Sequence, residues 1–258
     1  MPLLTAAQAR GKKVYAGFTT LADRDTSEAQ PAWRQQLNES GSYPNLLISP
    51  CVQSYQDTLT SLLQNLIANY DIDGVVLSSL FYGQEFSGTD TVGHPDCPTG
   101  TNWMPGVLTD YAADLVDAIQ VADPTLETAI LSYPLGFQNA WGDLSPGMTG
   151  HQDLAALSGI ADHVVLVAVG TYWVQQADPW WVTAVSAYRS LTGSDPWISL
   201  MMADDWEYGP LFYRGVTHEA REAGVAGISF HTTLSVMGEL SPALTRSQWS
   251  TLSEMPRP

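Results

Sequence analysis

Basic residues are scarce in this sequence of 258 residues, in which ten lysines and arginines stand against 27 aspartates and glutamates. The formal net charge is -17 at pH 7, and Lys12 and Lys13 are the only lysines. Nucleic acids and anionic membrane surfaces are bound through clustered positive charge, so the sequence predicts neither as a partner. The acidic balance suits a neutral or cationic ligand, and it serves solubility or a high-salt environment equally well.

Long hydrophobic runs and cysteines are also few. The longest apolar run, Val164–Gly170, is far shorter than the roughly 18–20 residues that span a bilayer, so no membrane insertion is expected. Cys51 and Cys97 are too few for a four-thiolate zinc site, although they could form one disulfide in an exported protein. No signal-peptide pattern follows Met1, and an extracellular or cell-envelope location is favoured if a segment before Met1 is missing.

The signatures of several enzyme classes are absent. No glycine-rich phosphate fingerprint follows an early strand, which counts against a dinucleotide cofactor. No Gly-x-Ser-x-Gly elbow occurs, and Ser78-Ser79 lacks the glycines that such a strained turn requires. His94-Pro95-Asp96-Cys97 looks like half of a metal site, but no partner ligand lies nearby in the sequence. The sequence therefore predicts neither a cofactor nor a metal.

Short apolar strands alternate with amphipathic helices along the chain, an order typical of a parallel sheet with crossover helices. The predicted strands are Lys13–Thr19, Asn45–Ser49, Gly74–Ser79, Glu127–Tyr133, His163–Gly170, Trp197–Met202 and Ala226–His231. The predicted helices are Leu3–Arg10, Tyr55–Tyr70, Val107–Val121, Leu154–Ser158, Trp180–Leu191 and Leu211–Ala223.

Aromatic and polar residues gather after several of these strands, as in Thr171-Tyr172-Trp173 and Asp204-Asp205-Trp206. Enzymes with α/β barrels carry their binding groups at the carboxyl ends of the strands, so the pattern favours a (β/α)8 TIM-type barrel over a doubly wound sheet. Because only seven strands are predicted, the barrel either lacks its first strand or is irregular there. We expect one barrel domain over residues 1–258, with a long loop at 83–106 over its carboxyl-terminal face.

Three acidic residues are candidates for catalysis at that face: Glu85, Asp204 and Asp205. Cleavage of a glycosidic bond needs two carboxyl groups across the sugar, one to protonate the leaving oxygen and one to act as nucleophile or to activate water. Such residues are also common as solvated loop charges, and an aspartate in a turn can bond to its own backbone.

Aromatic residues at the same face indicate the kind of ligand. Sugar rings stack their C–H faces on aromatic side chains while their hydroxyl groups bond to polar ones. The predicted stacking residues are Tyr82, Tyr133, Tyr172, Trp173 and Trp206, and His231 is predicted to orient the substrate. Together they predict a groove for a polysaccharide or oligosaccharide.

Two segments resemble a known family. Leu47-Ile48-Ser49-Pro50 and, after a helix, Tyr70-Asp71-Ile72-Asp73-Gly74-Val75-Val76-Leu77 are similar to the pattern of glycosyl-hydrolase-like family 10. The resemblance implies a TIM-type barrel that acts on O-glycosyl bonds, with its first strand before Met1. Where the family has acidic residues after the leucine, this chain has Ser78 and Ser79.

The sequence thus predicts a glycoside hydrolase-like barrel that cleaves a polysaccharide with a carboxylate pair. The alternative is a barrel that binds carbohydrate without cleaving it, which the two serines favour unless Glu85 replaces the missing acid. A third interpretation is a scaffold completed by a partner segment, with an exposed edge beside Lys13–Thr19.

Overall fold

The computed structural model describes residues 8–35, 47–82, 96–98, 103–132, 150–168, 180–202 and 210–232. Within these ranges there are six strands: β1 (Tyr15–Thr19), β2 (Gly74–Ser78), β3 (Glu127–Ser132), β4 (His163–Ala168), β5 (Trp197–Met202) and β6 (Gly227–Thr232). The helices are α1 (Arg24–Ala29), α2 (Gln53–Asn69), α3 (Met104–Ala122), α4 (Leu154–Leu157), α5 (Trp180–Thr192) and α6 (Pro210–Glu222). A 3-10 turn covers Pro31–Trp33.

The chain divides into two compact units, of which the first is Met1–Leu135 with Leu144–Val164 and the second is Gly136–Asp143 with Val165–Pro258. In the first unit β1 pairs with β2, and β2 pairs with β3, all in parallel. In the second unit β5 pairs in parallel with both β4 and β6.

The order of the strands in the sheet is their order in the chain, β1-β2-β3-β4-β5-β6. A doubly wound sheet reverses this order at a switch point, whereas a β/α barrel runs in one direction throughout. The α/β class and the parallel sheet are therefore confirmed. The described residues are consistent with a partial TIM-type barrel, and they do not include eight strands.

The predicted strand Asn45–Ser49 is wrong over its described residues. Leu47 and Ile48 make only isolated antiparallel bridges, to Ala22 and Arg34. Both bridges pair this apolar stretch in the antiparallel sense with the segment that follows β1, so the stretch does not join the parallel sheet. As a result β1 pairs directly with β2.

The helices in the amino-terminal part of the chain are also only partly predictable from the sequence. Helix α1 was not expected, and it is capped by Asp23, whose carboxylate accepts a hydrogen bond from the Thr26 amide at 3.0 Å. Most of the predicted helix Leu3–Arg10 lies outside the described residues.

The strands of the first unit have two unlike faces, because successive residues alternate and paired residues share a face. Val75 and Leu77 lie on one face and are fully buried, as is Ile130 beside them. Helices α2 and α3 each carry a stripe of buried apolar residues. Crossover helices use such stripes to cover a face of a parallel sheet. We call the opposite face the inner face. It carries Tyr15, Gly17, Thr19, Gly74, Val76, Ser78, Glu127 and Ala129.

At the amino-terminal end of the inner face, Glu127 is surrounded by hydrogen-bond donors. The Lys13 ammonium and the Tyr15 hydroxyl both donate to its carboxylate, and His163 Nε2 lies 3.4 Å away. Lys13, more than any other group, lowers the pKa of Glu127 to about 2. The Tyr15 ring reaches Glu127 by crossing Gly74, where an added Cβ would stand 2.4 Å from Tyr15 Cε1.

The second unit repeats the pairing of an aromatic ring with glycine. An added Cβ at Gly227 would stand 2.8 Å from the ring of Trp197, its neighbour on β5. Arg189 on α5 pairs with Asp195 and donates to the Ala223 and Gly224 carbonyls at 3.2 and 3.0 Å. This guanidinium caps the end of α6 and joins it to α5.

We expect Gly74→Ala to lower the free energy of unfolding by about 2–3 kcal/mol, because the new methyl group overlaps the Tyr15 ring and the Glu127 carbonyl. Gly106→Ala in the first turn of α3 is the control, since an added Cβ there meets nothing within 4 Å. That change should be neutral or should stabilise by about 0.5–1 kcal/mol. Equal thermal midpoints for the two variants in circular dichroism would contradict the packing at Gly74.

Glu127 also predicts a pH dependence. Its pKa is lower in the folded protein than the ordinary 4.5, so its stabilising effect is complete above pH 4.5 and is lost as the pH falls towards 2. Glu127→Gln should cost roughly 1–2 kcal/mol at pH 7, a figure reduced for solvent screening, and almost nothing near pH 2. Glu28→Gln, in an exposed pair with Arg24, is the control and should change stability much less at either pH. Denaturant titrations from pH 2 to 7 measure both.

Candidate functional site

Hydroxyl groups line the carboxyl ends of β1 and β2. The amide and hydroxyl of Thr20 both donate to the Ser78 carbonyl, at 2.9 and 2.8 Å. The buried Tyr55 hydroxyl donates to the Thr20 carbonyl at 2.7 Å, which joins the first turn of α2 to the end of β1. Ser79 then turns the chain away with a φ of 58°. These bonds hold the ends of the two strands together.

Two buried glutamines satisfy the backbone beyond β2. Gln152 Nε2 donates to the carbonyl oxygens of Leu80 at 2.8 Å and Leu131 at 3.1 Å. Gln35 Nε2 donates to those of Ile48 at 3.3 Å and Phe81 at 3.1 Å. Buried carbonyl groups need such partners, so the two amides determine where the segments after β1, β2 and β3 meet. Neither glutamine was identified from the sequence, because an isolated glutamine carries no pattern.

The segment before α4 lies against the segment after β2. The Tyr82 amide donates to the Gly150 carbonyl at 3.0 Å. Gly150 has a φ of 62°, and an added Cβ would stand 2.7 Å from Phe81 Cβ. His151 has a φ of 65°, and its ring lies 6.2 Å from that of Tyr82 in an edge-on arrangement.

A disulfide between Cys51 and Cys97 joins the start of α2 to the segment before α3. Tyr82 packs beside it, with its hydroxyl 3.6 Å from Cys97 Sγ, and the Ser49 hydroxyl lies 3.5 Å from the same sulfur. The Trp103 ring meets the Tyr82 ring edge-on at 5.4 Å. Burial raises the pKa of the Tyr82 hydroxyl, so this group stays neutral.

Of the predicted site residues, Tyr82 is the one whose side chain the structure describes, and it has no exposed surface. His231 is the fifth residue of β6, but its side chain lies outside the described set, as do the remaining predicted residues. Those are Glu85, Tyr133, Tyr172, Trp173, Asp204, Asp205 and Trp206. In the chain they follow the carboxyl ends of β2, β3, β4 and β5.

The described residues contain no group of three or more histidine, cysteine, aspartate or glutamate side chains that could hold a metal ion. Among the helices that the structure describes, none is both long and apolar enough to cross a membrane.

Several solved structures share this fold. The glycoside hydrolase domain of PgaB (BpsB) from Bordetella bronchiseptica is 16% identical, with a TM-score of 0.59 over 87% of this chain and 72% of that one. The glycoside hydrolase domain of PelA from Pseudomonas aeruginosa is 13% identical, with a TM-score of 0.54 over 88% and 81%. Alpha-L-fucosidase isoenzyme 2 from Paenibacillus thiaminolyticus is 17% identical, with a TM-score of 0.62 over 96% of this chain and 37% of its own.

No protein-family profile matches the chain, and no curated protein matches it in sequence. Identities this low show a shared fold alone. The resemblance predicted from the sequence therefore holds at the level of a glycoside hydrolase-like fold, whereas membership of glycosyl-hydrolase-like family 10 stays a prediction.

The disulfide predicts a stability change. Replacing both Cys51 and Cys97 by alanine should lower the free energy of unfolding by about 3–4 kcal/mol, because the bond closes a loop between residues 46 positions apart. Denaturant unfolding with and without a reductant measures this. The wild type should weaken in reductant while the double variant does not respond, and equal stability of the two oxidised proteins would refute the contribution of the bond.

Proposed function

We propose that this chain is a glycoside hydrolase-like barrel that acts on a polysaccharide at the carboxyl ends of its strands. The observation that supports this most directly is the fold shared with three glycoside hydrolase structures over 87–96% of the chain. Strand order adds support, because a barrel of this type gathers its loops at one end of the strands.

The proposed chemistry is acid and nucleophilic catalysis by carboxyl groups. Glu85 would protonate the leaving oxygen, and Asp204 or Asp205 would attack the sugar or activate a water molecule. Glu85 follows Tyr82 by three residues, a length of chain that reaches about 11 Å at most. Tyr82 is held beside the disulfide, and the proposal draws its acid from the segment that follows Tyr82 in the chain.

The proposed binding surface consists of aromatic residues that follow the strands. Tyr133 directly follows β3, and Tyr172, Trp173 and Trp206 follow β4 and β5 in the chain. Their rings would stack on sugar rings, and His231 would bond to substrate hydroxyl groups. We leave Tyr82 out of this set, because a ring without exposed surface has no face to offer a ligand.

A second function, carbohydrate binding without cleavage, is favoured by one observation. Ser78 ends β2 on the inner face and is half-exposed, so a hydroxyl stands where the resemblance implies a catalytic acid. In this alternative the stacking residues remain and no carboxyl pair lies at the spacing of about 5–9.5 Å that glycosidases use.

Release of reducing ends from neutral and amino-sugar polysaccharides tests the proposal. Glu85→Gln, and Asp204→Asn combined with Asp205→Asn, should each reduce the rate by about 100-fold or more, because general acid–base catalysis contributes 10²–10⁴-fold. Glu222→Gln on α6 and Asp117→Asn on α3 are matched controls, since both residues are exposed on helices.

The two functions give different results. Release that persists unchanged in the carboxylate variants would refute the assigned pair. No release by the wild type, together with retention on affinity gels that contain the polysaccharide, would establish the binding function instead.

A further inference from the structure

The two sulfurs of the disulfide differ in their access to solvent. Cys97 is buried, with 7% of its surface exposed, whereas Cys51 is only half-buried and lies just before the N-cap residue of α2. Thiols break a disulfide by direct attack of a thiolate on one of its sulfurs, so the rate depends on which sulfur can be reached. Of the two, Cys51 is the one open to attack from solution.

Two hydroxyl groups lie beside the buried sulfur. The Ser49 hydroxyl is 3.5 Å from Cys97 Sγ, and the Tyr82 hydroxyl is 3.6 Å from it and 3.9 Å from Cys51 Sγ. A disulfide sulfur carries no proton, so the hydroxyls are the donors in these contacts. Burial raises the pKa of the Tyr82 hydroxyl, which therefore keeps its proton.

The position of Ser49 adds to this arrangement. Its oxygen accepts a hydrogen bond from the Cys51 amide at 3.2 Å, and its own proton can be donated in turn. When the disulfide opens, one sulfur becomes a thiolate, and hydrogen bonds to an ionised acceptor are roughly twice as strong as neutral ones. The two hydroxyls are therefore placed to stabilise negative charge on Cys97 Sγ.

The charge of the protein selects the kind of thiol. The net charge is -17, and the exposed aspartates Asp57 in α2 and Asp96 next to Cys97 add negative charge near the two ends of the disulfide. Like charges repel a reagent before it arrives, and opposite charges attract it. A cationic thiol therefore has the advantage over a neutral one, and an anionic thiol is disfavoured.

We propose that Cys51 is a site of thiol exchange, at which a small cationic or neutral thiol attacks the disulfide and displaces Cys97. The attacking thiolate forms a bond to Cys51 Sγ while the Cys51–Cys97 bond breaks. The electron pair of the broken bond leaves on Cys97 Sγ, where the hydroxyls of Ser49 and Tyr82 donate to it. Attack of the Cys97 thiolate on Cys51 expels the small thiol and restores the original bond. The disulfide is thus a reversible link between the start of α2 and the segment before α3.

Peptide mapping of the wild-type protein tests the site of attack. The folded protein is mixed with cysteamine, quenched in acid and digested with pepsin, and mass spectrometry locates the mixed disulfide. Nearly all of the cysteamine should be on Cys51, because Cys97 is buried. In guanidinium chloride both cysteines should be labelled to similar extents. Cysteamine on Cys97, or on both cysteines equally, in the folded protein would overturn the proposal.

The rate of exchange tests the hydroxyl groups. Tyr82→Phe and Ser49→Ala should each slow the reaction with cysteamine about five- to tenfold, because each removes a hydrogen bond to the departing Cys97 thiolate. Tyr111→Phe is the control and should leave the rate unchanged, since its buried hydroxyl has no hydrogen-bond partner among the described residues. A rate that is unchanged or faster in Tyr82→Phe would show that this hydroxyl does not assist the departure of Cys97.

Three small thiols test the role of charge. Compared per thiolate at low salt, cysteamine should react at least about fivefold faster than 2-mercaptoethanesulfonate, with 2-mercaptoethanol between them. The differences should shrink at high salt, which screens charges. Equal rates at low salt would overturn the assigned class of thiol. None of these measurements uses a glycan, so failure of the exchange proposal leaves the proposed function standing.

Discussion

In the first unit, the arrangement at the carboxyl ends of the strands depends on hydrogen bonds to buried carbonyl groups beyond the sheet. Beyond β2 the chain leaves the sheet while still buried, so its carbonyl oxygens lose their ladder partners. The side-chain amides of Gln35 and Gln152 replace those partners at Phe81 and Leu80. Both amides come from distant segments, so satisfying β2 also brings those segments to its end. The disulfide partners and Tyr82 are held in the arrangement that results.

The two ends of the inner face differ in a way that bears on function. At the amino-terminal end, Glu127 is bonded to Lys13 and Tyr15, so its charge is used for stability. At the carboxyl end, Thr19 and Ser78 are neutral and partly exposed. Barrels place stability at the first end and ligands at the second. In the proposed function, a ligand would therefore meet the end of the inner face that carries these hydroxyls.

Much of the architecture could be predicted from the sequence, because strands buried in a parallel sheet appear as short apolar runs between glycine, proline and polar residues. The segment at 45–49 has the same appearance, yet Leu47 and Ile48 bridge in the antiparallel sense. An apolar run indicates that a segment is buried, but it does not identify the strand with which the segment pairs. The bonds of Gln152 to Leu80 and Leu131 join residues 72 and 21 positions apart, and no local pattern predicts them.

The candidate site was less predictable than the fold. Its acidic and aromatic residues are predicted from their place after strands, and the strand boundaries agree with that placement. Tyr82 met the same criterion and is buried, because the chain there turns against the disulfide.

The local bonding at Ser78 bears on whether an acid could act there. Its hydroxyl lies 3.3 Å from the Phe18 carbonyl oxygen, and only a group with a proton to donate is stabilised at that distance. An ionised carboxylate accepts hydrogen bonds and cannot donate one, so it would be repelled by the Phe18 oxygen in the same position. The bonding at the end of β2 therefore favours a hydroxyl over an ionised carboxylate at this position. In the proposed hydrolase the acid is Glu85, which follows β2 in the chain, and in the alternative function the protein binds carbohydrate without that acid.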